Sequence, residues 1–158
     1  MDIVLVEPEI PHNTGAVGRL CLALDATLHL VEPLGFSLDE KAVRRAGLDY
    51  WKDVKKQLWP DWHRIESHFG GRRLVLATTK ASQAHWDHQF QSDDVLVFGK
   101  ETAGLSQEIR ERHPHHQVKI PMSHASTRSL NLSTSVGIIA YEFARQLTVN
   151  REGSQLAG

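Results

Sequence analysis

Ser129, Asn131 and Ser133 crowd the start of a long apolar helix in "IPMSHASTRSLNLSTSVGIIAYEFARQL", residues 120–147. A single hydroxyl or amide satisfies the free N–H groups of a helix's first turn, so the surplus points to a site. Three other stretches hold comparable residues. "EPEIPHNTGAVGRL" stiffens a turn with two prolines and opens a helix with Asn13, Thr14 and Gly15. Arg19 lies two residues from Val17, about 200° around that helix, and so leaves its apolar stripe free to face a ligand. "FGKETAGL" sets Glu101 between Gly99 and Gly104. Glycines admit close backbone approach or positive φ, so this turn could hold a flat ligand against main-chain groups. "ATTKAS" ends an apolar run with Ala77, Thr78 and Thr79. The ten histidines, "HPHHQ" at 113–117 above all, invite a metal reading. Pro114 breaks the local geometry and no Cys or carboxylate cluster with zinc spacing accompanies them, so no metal is expected.

The elements that must position these residues alternate along the chain. "DIVLVE" (2–7), "TLHLVE" (27–32), "RLVLATT" (73–79), "DVLVFG" (94–99) and "QVKI" (117–120) are short and rich in Val, Leu and Ile, the pattern of parallel strands buried on both faces. Val17, Leu20, Cys21 and Leu24 form the stripe of a helix starting near Asn13 or Thr14, and Ser106 can cap another over "SQEIRERH". The segment from Leu38 to Phe69, with Asp39 as a cap and Pro60 as a break, reads as two shorter helical pieces. The fold class is α/β, mainly parallel sheet flanked by helices. In such a sheet ligands gather at loops beyond the carboxyl ends of strands, which is where the four stretches fall.

The 158 residues suit one domain, taken as 1–150 with 151–158 as a frayed C-terminal tail. A 41% hydrophobic and 23% charged composition, short apolar runs and a single cysteine describe a soluble chain without a membrane span or internal disulfide, and a cytoplasmic location is expected. The net charge of −1 argues against a protein that coats nucleic acid through a strong positive field, though Arg44-Arg45, Lys55-Lys56 and Arg72-Arg73 are local basic clusters. A Rossmann nucleotide-binding enzyme would explain Gly15, Gly18 and Glu32, but "GAVG" after a proline-containing loop fits its fingerprint poorly. A non-catalytic RNA-binding module would use aromatics such as "YW" at 50–51 and "WPDW" at 59–62, which read more simply as packing residues.

Taken together, "NTGAVGRL", "LVFGKETAGL" and "IPMSHASTRSLNLSTSVGIIAYE" resemble, in order, the three signature motifs of the SPOUT class of knotted RNA methyltransferases. "IVLVEPEIPHNTG", "VEPLGFSLDEKAVRRAGLDY" and "ATTKA" extend the likeness to almost the whole chain, which is most similar to the subfamily that methylates the ribose of the tRNA wobble nucleotide, cytidine or uridine 34. Other SPOUT ribose methyltransferases share the motifs, so another tRNA or rRNA position is the alternative target.

The resemblance implies a C-terminal deep trefoil knot and S-adenosyl-L-methionine bound by Ala77, Thr78, Gly99, Ile120, Ser129 and Leu130. It implies catalytic roles for Arg19, Glu101, Ser129 and Asn131, and contact with substrate RNA through Asn13, Arg19 and Arg128. Methyl transfer to a 2′-hydroxyl needs in-line placement and a way to stabilise the developing alkoxide, and no metal. A guanidinium keeps its proton at neutral pH, so Arg19 is expected as a cationic donor rather than a general base. The C-terminal helix carries one apolar stripe, Leu132, Val136, Ile139, Ala140, Phe143 and Leu147, with Ile138 and Tyr141 on other faces. The first helix has a second apolar set in Ala16, Leu22, Ala23 and Ala26. A C2 homodimer through these two helices is expected, as the resemblance also implies.

Overall fold

The computed structural model describes residues 1–38, 49–123 and 129–155. Seven strands form one sheet: β1 (Asp2–Val6), β2 (Thr27–Val31), β3 (Lys56–Trp59), β4 (Leu74–Ala77), β5 (Gln83–Ala84), β6 (Val95–Phe98) and β7 (Gln117–Lys119). Their order is β3-β2-β1-β6-β4-β7-β5, and every pair is parallel. The chain winds outward from β1 to β3, then returns to build the other half beyond β6. Strand order therefore reverses between β1 and β6, and the loops leaving those two strands come together at the carboxyl edge, where such sheets bind ligands.

The Val, Leu and Ile runs are strands because helices cover both faces. On one face, α1 (Pro11–Ala23) and α4 (Leu132–Gln155) bury Val17, Cys21, Val136, Ile139 and Phe143 against Ile3, Leu5, Leu28, Leu96 and Phe98. On the other, α2 (Trp62–His68) and α3 (Gln107–Arg112) bury Trp62, Ile65 and Ile109 against Val4, Val6, Leu76 and Val97. Burial pushes the Cys21 thiol up to about 12, so it stays a neutral packing group. No helix among the described residues is long and apolar enough to cross a membrane.

The first helix starts two residues earlier than its polar residues suggest. Pro11 takes a first-turn position, and Ile10, extended at φ −113°, stands at the cap without a side-chain bond. Proline suits that position because its missing N–H would have been unpaired anyway. Asn13 and Thr14, released from capping, are buried in the first turn. Gly18, weighed above as a nucleotide-loop glycine, is a packing residue: an added Cβ would lie 2.7 Å from the Trp51 ring. Ser106 caps α3 as expected, accepting from the Ile109 N–H at 3.2 Å.

The segment read as two helical pieces differs. Asp49–Asp53 is a short 3-10 turn, Lys56–Trp59 is an edge strand and only Trp62–His68 is α-helix; Asp39, the expected cap, lies outside the described residues. Trp51 and Trp62 are core residues and Trp59 is half-buried against His68, so these tryptophans pack rather than read RNA. Lys55 pairs with Asp25, Arg72 with Asp2 and Arg73 with Asp94, which ties two of the basic clusters into the fold; Arg44-Arg45 lie outside the described residues. His113 of the histidine run pairs with Glu66 at 2.8 Å. Ala26, assigned to a partner surface, is buried within this chain at 2% exposure, whereas Ala16, Leu22 and Ala23 are exposed.

Candidate active site

Three loops at the carboxyl edge meet through one chain of hydrogen bonds. The loop after β6 folds tightly back on itself: at Gly99 an added Cβ would sit 2.1 Å from the Gly104 carbonyl carbon, so only glycine permits the turn. This projects Glu101 toward the loop after β1. Its carboxylate accepts from the Glu9 N–H at 2.7 Å, the Ile10 N–H at 3.2 Å and Asn13 Nδ2 at 2.9 Å. An acidic side chain 88 to 92 residues away in sequence thus satisfies donors that the uncapped start of α1 leaves open.

The contact is reciprocal. Glu9 accepts from the Thr102 N–H and Thr102 Oγ1, both at 2.9 Å, and Lys100 Nζ donates to Glu7 at 2.7 Å. That bond and the Glu7 charge raise the Lys100 ammonium above its ordinary range. Glu7 itself adopts φ +51°, a left-handed conformation that non-glycine residues rarely hold without fixed neighbours.

Asn13 carries the chain onward. Its Oδ1 accepts from Asn131 Nδ2 at 2.8 Å, across 118 residues. Asn131 caps α4: its Oδ1 accepts from the Ser133 N–H at 2.9 Å, Ser133 Oγ at 2.7 Å and the Thr134 N–H at 3.4 Å. Ser135 Oγ donates back to the Asn131 carbonyl at 3.1 Å. Part of the surplus of hydroxyls is therefore absorbed by the cap. The Asn131 oxygen is saturated, leaving one Nδ2 proton to meet a ligand, while the Ser129 hydroxyl has no partner among the described residues.

Beside this polar edge lies a cavity of about 490 Å³ over the ends of β4, β6 and β7. Ala77, Thr78, Gly99, Ile120, Ser129 and Leu130 all line it, as do Asn13, Glu101 and Asn131. Phe98, Leu132 and Ile139 supply an apolar floor. Its size suits a nucleoside-sized ligand. Asn13, expected to face RNA, is instead only 7% exposed, with its carbonyl and one N–H engaged inside the chain. Arg19 is exposed and stands off the apolar stripe, but it is not among the residues lining the cavity; its guanidinium lies 5.2 Å from the centre of the Tyr50 ring. Arg128 and residues 124–127, on which the expected knot depends, fall outside the described residues. The sequence reading missed Glu7, Glu9 and Thr102 as cross-loop locks and Lys80 and Arg110 as cavity residues, since no local pattern marks a contact made 93 residues away.

A parallel sheet with a nucleoside-sized pocket at its switch point, closed by three polar loops, is the architecture of an α/β domain that binds a nucleotide-like ligand. The chain belongs to the SpoU rRNA Methylase family, whose model matches residues 1–141. It is 49% identical over 146 residues to the tRNA (cytidine(34)-2'-O)-methyltransferase of Methylovorus glucosotrophus, covering 92% of this chain and 94% of the relative. The enzyme of the same name from Escherichia coli K12 is 43% identical, with 93% and 94% covered. A solved structure described as giving insight into the 2-OH methylation of C/U34 on tRNA superposes with a TM-score of 0.86 at 40% identity, over 93% of this chain and 95% of that one. The SpoU methyltransferase AviRb from Streptomyces viridochromogenes, in complex with AdoMet, gives a TM-score of 0.80 at 26% identity, over 94% of this chain and 58% of that one.

Glu101→Gln replaces one acceptor oxygen with an NH₂ group that faces either the Glu9 N–H or the Ile10 N–H and Asn13 Nδ2. The ligand-free variant should lose about 1–2 kcal/mol in urea unfolding. Wild-type stability would show that the carboxylate does not hold the loops together.

Proposed function

We propose that this protein transfers a methyl group from S-adenosyl-L-methionine to the ribose 2′-hydroxyl of the tRNA wobble nucleotide, cytidine or uridine 34. The observation that carries the reading is the junction of an apolar nucleoside-sized floor with the polar edge built from Glu101, Asn13 and Asn131. The lining fits the cofactor: Ala77, Ile120 and Leu130 offer small or apolar surface for an adenine, and the Gly99 turn keeps main-chain groups close to the cavity. Held by Ala77, Thr78, Gly99, Ile120, Ser129 and Leu130, the cofactor would supply an electrophilic methyl group for the 2′ oxygen and leave as S-adenosyl-L-homocysteine, with the hydroxyl proton passing to solvent.

The chain's own residues position these partners. Ser129 offers a hydroxyl and Asn131 one N–H at the cavity edge, where ribose and cofactor meet. Glu101 and Asn13 hold that edge in register. Arg19 orients the ribose or its phosphate and favours the alkoxide by its charge. Arg19 is exposed on the outer face of α1 and does not line its own chain's cavity, so we assign it to a partner's cavity across an interface. That face exposes Ala16, Leu22 and Ala23, and α4 exposes Tyr141 at 54% with Ile138 beside it. We therefore place α1 and α4 in a C2 homodimer, with each Arg19 serving the partner's cavity.

Incubation with labelled S-adenosylmethionine and total tRNA, followed by mapping of the methylated ribose, should place label at nucleotide 34. Label at another RNA position, or none, overturns the reading. Arg19→Ala should keep cofactor affinity within a few-fold while methyl transfer falls by about 100-fold or more, the loss typical of one preorganised charge-stabilising donor. Full activity in that variant removes Arg19 from the mechanism.

Ile138→Glu combined with Tyr141→Glu should sediment as a monomer and lose tRNA methylation. A monomeric wild type, or a monomeric variant with undiminished activity, contradicts the shared site.

A further inference from the structure

Two cations in the cavity lining have no carboxylate partner among the described residues. Among the described residues four arginines and two lysines are paired with carboxylates: Lys55 to Asp25, Arg72 to Asp2, Arg73 to Asp94, Lys100 to Glu7, Arg112 to Glu66 and Arg145 to Glu142. Of the cations left without a carboxylate, only Lys80 and Arg110 line the cavity. Lys80 follows β4 in the turn fixed by its own N–H donating to Thr78 Oγ1 at 3.2 Å, and its side chain is exposed. Arg110 projects from α3 and is half-buried. Its Nε makes one long bond, 3.4 Å, to the Leu105 carbonyl, and its terminal nitrogens have no partner among the described residues.

A half-buried guanidinium with a free fork is costly unless an oxyanion completes it, and the fork matches two oxygens of one phosphate. The chain's net charge of −1 supplies no general attraction for a polyanion, so contacts beside the site must provide it. The anionic edge of the cavity does not compete, because the Glu101 carboxylate is occupied by three N–H donors. We infer that Lys80 and Arg110 form a phosphate-binding lip that grips the RNA backbone next to the nucleotide entering the cavity. This rests on the tRNA reading above and assigns that substrate a second anchor, on the β4 and α3 side of the cavity, opposite the α1 loop.

Lys80→Gln and Arg110→Gln, singly and together, test the lip without large loss of side-chain volume. Affinity for a tRNA transcript with cytidine at the wobble position is measured across a series of salt concentrations, and S-adenosylmethionine affinity is measured in parallel. Each substitution should flatten the slope of log K against log salt by about 0.7–0.9 and weaken tRNA binding at low salt several-fold, with cofactor affinity within twofold of wild type. Lys55→Gln, which breaks the exposed pair with Asp25 at the amino edge of the sheet, should leave the slope unchanged.

Unchanged tRNA affinity and slope in the double variant overturn the proposal. So does a loss confined to S-adenosylmethionine, which would assign the cations to the cofactor's carboxylate. Cofactor binding retained by each variant also reports that it is folded. Wild-type protein that binds the transcript but transfers no methyl group would count against the methyltransferase reading alone, while the salt series would still decide the lip.

Discussion

The hydrogen-bond chain from Glu101 through Asn13 to Asn131 is the constraint on which the site depends. It joins the loops after β6 and β1 to the start of α4, three segments separated by 88 and 118 residues in sequence. Each member also completes a local structural need: Glu101 satisfies donors at the start of α1, and Asn131 caps α4. Fold and site are therefore built from the same bonds. A helix that supplied its own cap at Ile10 would not need Glu101, and the turn carrying Glu101 would lose its reason to point across the switch point.

Saturation of these groups limits what they can do chemically. The Asn131 oxygen accepts from three donors, and three of the roughly four acceptor positions of the Glu101 carboxylate are taken, two on Oε1 and one on Oε2. Under the methyltransferase reading proposed above, these residues preorganise the site: a rigid edge against which a nucleoside on the apolar floor is held at a fixed distance from its partner. Among the described residues, the groups at the cavity with free hydrogen-bonding capacity include the Ser129 hydroxyl, one Asn131 N–H, Lys80 and Arg110, and Arg19 stands apart from them on the exposed face of α1.

Much of this was legible in the sequence, for physical reasons that also explain the gaps. Strands buried on both faces announce themselves as apolar runs, and β1, β2, β4, β6 and β7 were each marked by one. The edge strand β3 was not, because "KQLW" exposes three of its four residues and carries no such signal, and β5 spans only two residues. The six residues that the family resemblance assigns to cofactor line one cavity because β4, β6 and β7 deliver their carboxyl ends to one edge beside the start of α4; the motifs, not the strand pattern, singled them out. The ties from Glu7 to Lys100 and Glu9 to Thr102 depend on the order of strands across the sheet, which no local spacing encodes. Asn13 looked like a ligand contact for the same reason it looked like a cap: its type fits both, and only burial shows that its partners are Glu101 and Asn131.

The central claim, that Asn13 and Asn131 act as one unit, is tested most directly by a double-mutant cycle on the cofactor dissociation constant. Asn13→Ala, Asn131→Ala and the double variant are compared with wild type. The account predicts strong coupling: the double variant binds S-adenosylmethionine about as well as the weaker single variant, with an interaction energy of about 1 kcal/mol or more. Additive losses, within about 0.3–0.5 kcal/mol, would mean that the two amides serve the site independently and that the chain of bonds does not organise it.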